Sequence, residues 1–327
     1  MDKKLLEEKI EELELPDERI HPDLRPFLSV FPSMGASKEI VKASRDMPPM
    51  MPPAAKNKAV NIEERFIPGP EGGPEVRVKI FTPVERKGVV GGLLWIHGGG
   101  YVYPIIDMDD GRCMSFALES NCVVVSVDYR VAPENPYPAP LEDCYAALTW
   151  FSENAEELGV DRSRIAVAGG SAGGGLTIAL CLLARDRKGP EIVFQMPLCP
   201  MIDDRHITPS SFEITDPRFW NRQSNIYCWS AYLGNISDDE VPIYAAPARA
   251  QDLTDLPPAY LFVGGIDMFR DETIEFAARL ARAGVATELH VFPGCFHGFE
   301  ILEKAGISQR ANEELIRVLK SALGDKK

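Results

Sequence analysis

The sequence predicts an α/β protein: a mostly parallel sheet flanked by helices, with a helical insertion over one edge. Three observations predict it. Short apolar, β-rich runs alternate with helical patterns from about residue 89 onward. A Gly-rich strand–turn–helix junction sits at residues 165–185, and one aromatic-rich interval breaks the alternation. At 327 residues the chain has room for one large domain carrying such an insertion.

Taken in order, residues 1–55 form an N-terminal unit of short helices broken by prolines. Leu5, Leu6, Ile10 and Leu13 recur at helical spacing, so this unit opens with an amphipathic helix. Pro48, Pro49, Pro52 and Pro53, interleaved with Met47, Met50 and Met51, mark a linker-like boundary. Residues 56–200 are the first part of the sheet domain. Asn61–Ile67 and Val76–Phe81 read as strands on either side of the turn-forming segment PGPEGGP. Val89–Ile96 is a continuous apolar run, as expected of a strand buried on both faces. Cys122–Val127 is β-rich, and Leu141, Cys144, Tyr145, Leu148 and Phe151 mark one face of a helix. Ile165–Ala168 is a short strand, Ala172–Arg185 a helix and Ile192–Leu198 a further strand.

Residues 201–245 carry Phe212, Phe219, Trp220, Tyr227, Trp229 and Tyr232 with prolines but no clear strand. This interval reads as helices packed over the carboxyl edge of the sheet. The sheet domain resumes over residues 246–327. Ala259–Val263 is a strand, Thr273–Ala283 a helix, Ala286–Phe292 a strand, and the last twenty residues a closing helix.

Composition narrows the partners. A formal charge of −14 disfavours nucleic acid and anionic membrane and suits a neutral or cationic small molecule. The first residues lack the apolar central run of a signal peptide, and no apolar stretch approaches the ~20 residues that span a bilayer. The seven cysteines (113, 122, 144, 181, 199, 228 and 295) are scattered, with no CxxC and no Cys/His cluster. They read as reduced, buried thiols of a cytoplasmic protein with no metal site. Cys295 stands out only because it precedes His297 by two residues.

The chemistry gathers at strand ends. Gly169-Gly170-Ser171-Ala172-Gly173 follows the strand RIAVA and opens a helix, the setting of a nucleophile elbow. The sharp turn exposes the serine, and small flanking residues avoid collision with the adjoining strand and helix. His97-Gly98-Gly99-Gly100 follows the buried strand ending at Ile96. Glycines there let backbone amides turn toward a developing oxyanion. The hole is assigned to the N–H groups of Gly99, Gly100 and Ala172, with Gly98 contributing; His97 braces the loop rather than moving protons.

A serine hydroxyl needs a base. Of five histidines, His21 lies in the N-terminal unit, His206 in the insertion and His290 within a strand pattern. His297 follows the last strand in the loop GCFHGF and is the candidate base. Asp267, just past the strand AYLFVGG, is the candidate acid that orients it, and the order Ser…Asp…His fits an α/β hydrolase. Asp203 and Asp204 are the alternative acids; Asp271 reads as the cap of the helix starting near Glu272.

Together, HGGG, the segment Asp128-Tyr129-Arg130-Val131-Ala132-Pro133-Glu134, the GGSAGG elbow, Asp267-Met268-Phe269-Arg270-Asp271-Glu272 and Phe296-His297-Gly298-Phe299 resemble the hormone-sensitive-lipase-like branch of the α/β-hydrolases. The resemblance spans roughly residues 60–325. It implies an eight-stranded sheet under a cap built from the N-terminus and the later insertion. It also implies a carboxylesterase that cleaves short- to medium-chain acyl esters without a cofactor, with Arg130 and Glu134 as bracing residues, and a homodimer. Activity would rise as His297 loses its proton near the unperturbed ~6.5. An amidase, carbamate hydrolase or lactonase would use the same residues; a ligand-binding receptor of this fold would lack the activated serine. The chain departs from the family twice: Gly170 stands where Asp or Thr usually precedes the serine, and Pro104 where a glycine often follows HGGG.

Overall fold

The computed structural model describes residues 15–29, 35–45, 57–86 and 88–324. The amphipathic helix read from Leu5 to Leu13 and the proline cluster at 48–53 lie outside the described residues.

Eight strands form one sheet: β1 (Val60–Ile67), β2 (Val76–Pro83), β3 (Val90–Ile96), β4 (Cys122–Asp128), β5 (Val160–Gly170), β6 (Phe194–Leu198), β7 (Ala259–Gly264) and β8 (Thr287–Phe292). Their order is β1-β2-β4-β3-β5-β6-β7-β8. Strand β2 runs antiparallel to both neighbours, and every pair from β4 to β8 is parallel. The sequence pattern reflects this layering. All residues of β3 are buried because helices cover both faces, whereas β1 at the edge is largely solvated.

Two elements differ from the sequence reading. Strand β5 begins at Val160, five residues before its apolar run; Val160 pairs with Val90, and a register shift separates that pair from the Gly92–Ile165 pair. The intervening Asp161, Arg162, Ser163 and Arg164 hide the strand from a hydrophobicity pattern. The helix Asp110–Ser120 was not foreseen. Its first turn is acidic, and Asp110 there grips the buried Lys79 ammonium at 2.6 Å while Asp107 accepts from it at 3.0 Å.

Between β6 and β7 the chain forms the helices Pro209–Glu213 and Arg222–Leu233. Asn221 starts the second, its side chain accepting from Ser224 N. The insertion's aromatic residues are its core: Phe212, Phe219, Trp220, Trp229 and Tyr232 are buried. Tyr232 stacks on Tyr101 at 4.0 Å, and Phe219 on Phe296 at 4.3 Å, so the insertion rests on loops at the carboxyl ends of the strands.

The described N-terminal residues strap this layer down. Arg218 donates to Leu15 O at 2.9 Å and pairs with Asp17. Ala36 N donates to Ser224 Oγ at 2.9 Å. His21 N donates to Gly294 O at 2.7 Å, and Asp23 accepts from Ile307 N at 2.9 Å. Arg45 donates to Val102 O at 2.6 Å and to Ala132 O at 2.9 Å while pairing with Glu134. Among the described residues no helix is long and apolar enough to cross a membrane.

Candidate active site

The sharpest turn in the sheet lies between β5 and the helix Ala172–Arg187. Ser171 occupies it with φ 57° and ψ −118°, a conformation that costs an L-residue roughly 1–2 kcal/mol. Its backbone is clamped on both sides: Ser171 N donates to Leu198 O at 2.8 Å, and Ser171 O accepts from Gly175 N at 3.0 Å and Met201 N at 3.1 Å.

Gly173 is required by close approach. A Cβ there would lie 2.1 Å from Ile96 O and 2.4 Å from His97 O. Gly170 is different, because a Cβ there would meet nothing within 4 Å. The expectation that all flanking glycines avoid collisions therefore fails at Gly170, whose side-chain direction is open. Gly173→Ala is expected to destabilise the fold by about 2 kcal/mol through forced backbone movement. Gly170→Ala should change stability by less than ~1 kcal/mol. Urea midpoints of the two variants, compared at equal slope, would check this.

His297 stands opposite the serine, its Nε2 2.9 Å from Ser171 Oγ. Its Nδ1 lies 2.8 Å from Asp267 Oδ2, and Asp267 Oδ1 accepts from Phe269 N at 2.9 Å. With the carboxylate accepting, Nδ1 carries the ring proton and Nε2 is free to take one. Asp267 and His297 are both buried, and the rings of Phe269 and Trp220 lie 5.1 and 6.2 Å from the imidazole. Burial works against charge on the ring, but the adjacent Asp267 carboxylate outweighs it and holds the His297 pKa above the usual imidazole range.

The Gly-rich loop after β3 faces the same spot. Gly98 packs against the elbow, its Cβ position 3.0 Å from Gly170 O and 3.5 Å from Ser171 Cβ. Gly99 and Gly100 have φ of 98° and 59°, and no described residue accepts from their amides. Ala172 N–H begins a helix, where the first amides lack intrahelical partners. At Gly100 a Cβ would come within 2.5 Å of Trp220 Cη2, so the indole lies directly on the loop. Tyr129 Oη donates across His97 O at 2.9 Å and Gly98 O at 3.1 Å, and its ring stacks on His97 at 4.2 Å. His97 Nδ1 donates to Gly98 O at 2.8 Å; burial lowers its pKa, so the ring is neutral and serves to hold the loop.

The remaining sequence candidates lie elsewhere. Asp203 pairs with Arg205 and Asp204 with Arg249, so neither reaches His297. Asp271 does not cap its own helix, which starts at Arg270. Its Oδ2 instead accepts from Ser210 N at 2.7 Å, at the start of the insertion's first helix. His206 contacts Asn225, and His290 pairs with Glu288 on the edge strand. Arg130 makes a two-pronged contact with Asp143 at 2.8 and 2.7 Å.

Cys295 is buried against Pro293 O, away from the ring. The sequence singles out Cys295, but Cys199, just past β6, is the thiol placed beside Asp267 and His297. Its only sequence signal was its position at a strand's carboxyl end. Burial pushes the Cys199 thiol pKa up, against the opposing pull of His297.

Comparison with known proteins agrees with this architecture. The family described as alpha/beta hydrolase fold matches residues 93–301. Esterase LipI of Mycobacterium tuberculosis is 36% identical over 302 residues, covering 92% of this chain and 93% of its own. Ethyl acetate hydrolase of Pseudomonas putida is 30% identical over 252 residues, covering 76% of this chain and 78% of its own. A solved structure named bacterial heroin esterase superposes with a TM-score of 0.87 at 39% identity, covering 94% of this chain and 99% of that one. With the elbow, the Gly-rich loop and the Ser171–His297–Asp267 contacts all brought together at one end of the sheet, the chain belongs to the α/β-hydrolase fold family, in its hormone-sensitive-lipase-like branch.

Proposed function

We propose that the chain is a carboxylic ester hydrolase acting on short- to medium-chain acyl esters through an acyl-enzyme. The observation that carries this reading is the relay of 2.9 and 2.8 Å contacts from Ser171 Oγ through His297 to Asp267, beside a Gly-rich loop whose Gly99 and Gly100 amides have no acceptor among the described residues. Relatives that carry ester-hydrolase names support it.

Ser171 Oγ attacks the ester carbonyl as His297 Nε2 takes its proton. The carbonyl oxygen becomes an oxyanion held by the N–H groups of Gly99, Gly100 and Ala172, with Gly98 fixing the loop against the elbow. Each such donor is worth about 10²–10³ in rate. His297 returns the proton to the departing alcohol, and the ring then activates water to release the acid. Asp267 steadies the imidazolium throughout and keeps its own charge.

Residues 1–55 and 201–245 act as a cap, and the burial of Trp220 against Gly100 supports a small enclosed acyl site. The substrate is a small neutral or cationic ester, in keeping with the charge of −14. Seven free thiols support a cytoplasmic setting, where the chain works without nucleic acid or membrane, as a homodimer.

Only the unprotonated ring accepts a proton, so the rate should climb with pH. Because the Asp267 carboxylate raises the His297 pKa, this limb is expected above the ~6.5 of free imidazole, higher than sequence alone suggested. A kcat/KM profile whose acid limb fell below that value would contradict the assignment. The reaction class is tested with p-nitrophenyl esters from acetate to laurate beside the matching anilides. Preference for acetate to octanoate esters over anilides is expected. Faster anilide cleavage would make the chain an amidase.

A further inference from the structure

Folding assembles a group of metal-ligating side chains that the sequence keeps far apart. Cys199 lies where β6 ends, with φ 36°, and its amide donates to Phe262 O of β7 at 2.7 Å. Asp267 follows β7 and His297 follows β8, so three neighbouring parallel strands deliver all three residues to the same end of the sheet. One ligand atom from each lies within 4.8 Å of the other two, and all three residues are buried.

We propose that Cys199 Sγ, the Asp267 carboxylate and His297 Nδ1 form an inhibitory site for a thiophilic divalent cation of the zinc or cadmium type. One sulfur, one imidazole nitrogen and one carboxylate oxygen are the donor set such an ion takes in four-coordinate sites. Hard cations such as magnesium and calcium prefer oxygen alone and gain little from a thiol. Metal–ligand distances of ~2.0–2.3 Å put ligand atoms ~3–4 Å apart, so shifts of about 1 Å suffice to close the site.

The balance is simple. The thiol proton leaves to solvent, and the ring proton moves from Nδ1 to Nε2 as Nδ1 coordinates. Two anionic ligands then neutralise the dication, which offsets its burial. Nothing is oxidised or reduced. With Nε2–H now pointing at Ser171, the ring can no longer accept the serine proton. The inhibitory consequence rests on the ester-hydrolase reading; the binding itself does not.

The test therefore has two arms, both on the full chain stripped of metal by chelator. In a Ser171→Ala background, cadmium should produce an ultraviolet thiolate-to-metal charge-transfer band that is lost in the added Cys199→Ser and Cys199→Ala changes. In the serine-bearing chain, zinc should lower ester turnover at least ~10-fold. The Cys199 variants, each measured against its own metal-free rate, should need at least ~10-fold more zinc for the same loss. Magnesium should be without effect.

A cadmium band that survives both Cys199 changes would overturn the proposal. So would equal zinc sensitivity in all three proteins, or a Cys199-dependent band with no inhibition. If the metal-free chain cleaved no ester, the ester-hydrolase reading would fall, and the cadmium band would still decide whether the site binds.

Discussion

Ser171→Ala is expected to lower kcat for p-nitrophenyl butyrate by about 10⁴–10⁶. Alanine keeps the Cβ that already sits at φ 57°, so the turn and its backbone clamps at Leu198, Gly175 and Met201 persist. What disappears is the one oxygen lying 2.9 Å from His297 Nε2. The variant should therefore unfold at the same urea midpoint while losing both turnover and labelling by a fluorophosphonate. Retention of more than a tenth of the activity would mean that another group attacks the substrate. Labelling of the unmodified chain would separately exclude a receptor with an idle serine.

Asp267→Asn is expected to cost about 10⁴ in kcat with little change in KM. The two oxygens of Asp267 have different tasks, one accepting from Phe269 N at 2.9 Å and the other facing His297 Nδ1 at 2.8 Å. Asparagine can keep the first contact through its carbonyl. Its amide nitrogen then faces the ring and donates to Nδ1, which forces the proton onto Nε2. Ser171 would meet a donor where it needs an acceptor, although no atom has moved by more than a bond's rotation. Because the carboxylate also supports the imidazolium, any residual activity should have its acid limb shifted to lower pH. A loss of less than ~10-fold would assign the orienting role to another group.

The legible parts of this molecule share one property, local contrast. Val90–Ile96 announces itself because a strand covered on both faces must be apolar throughout. Ser171 is found the same way, directly after a buried strand, and Asp267 and His297 follow in the loops that leave β7 and β8. Where the contrast is spent on another task, the signal fades. The helix Asp110–Ser120 devotes its first turn to a buried lysine on β2, and the first half of β5 is polar because it pairs only at its start. Cys199 gives only a faint signal, for a different reason. A cysteine ending the run QMPLC looks like core, and its nearness to His297 is made by strand order, which couples residues 98 positions apart only after β6, β7 and β8 are side by side. The elbow pattern marks Gly170 as sterically required, yet the space beside it in the fold is empty.

The two halves of the reacting pair are anchored at different depths. Ser171 rises from β5, in the middle of the sheet, whereas His297 is carried by a loop leaving β8, the last strand. That loop is moored by the amide of His21 and by the stacking of Phe296 under Phe219. The loop itself is buried, but β8 is a half-exposed edge strand, so on gentle heating it should part before the middle strands separate. Turnover would then vanish some degrees below the loss of circular dichroism, leaving a molecule whose frame is whole but whose imidazole has drifted out of reach.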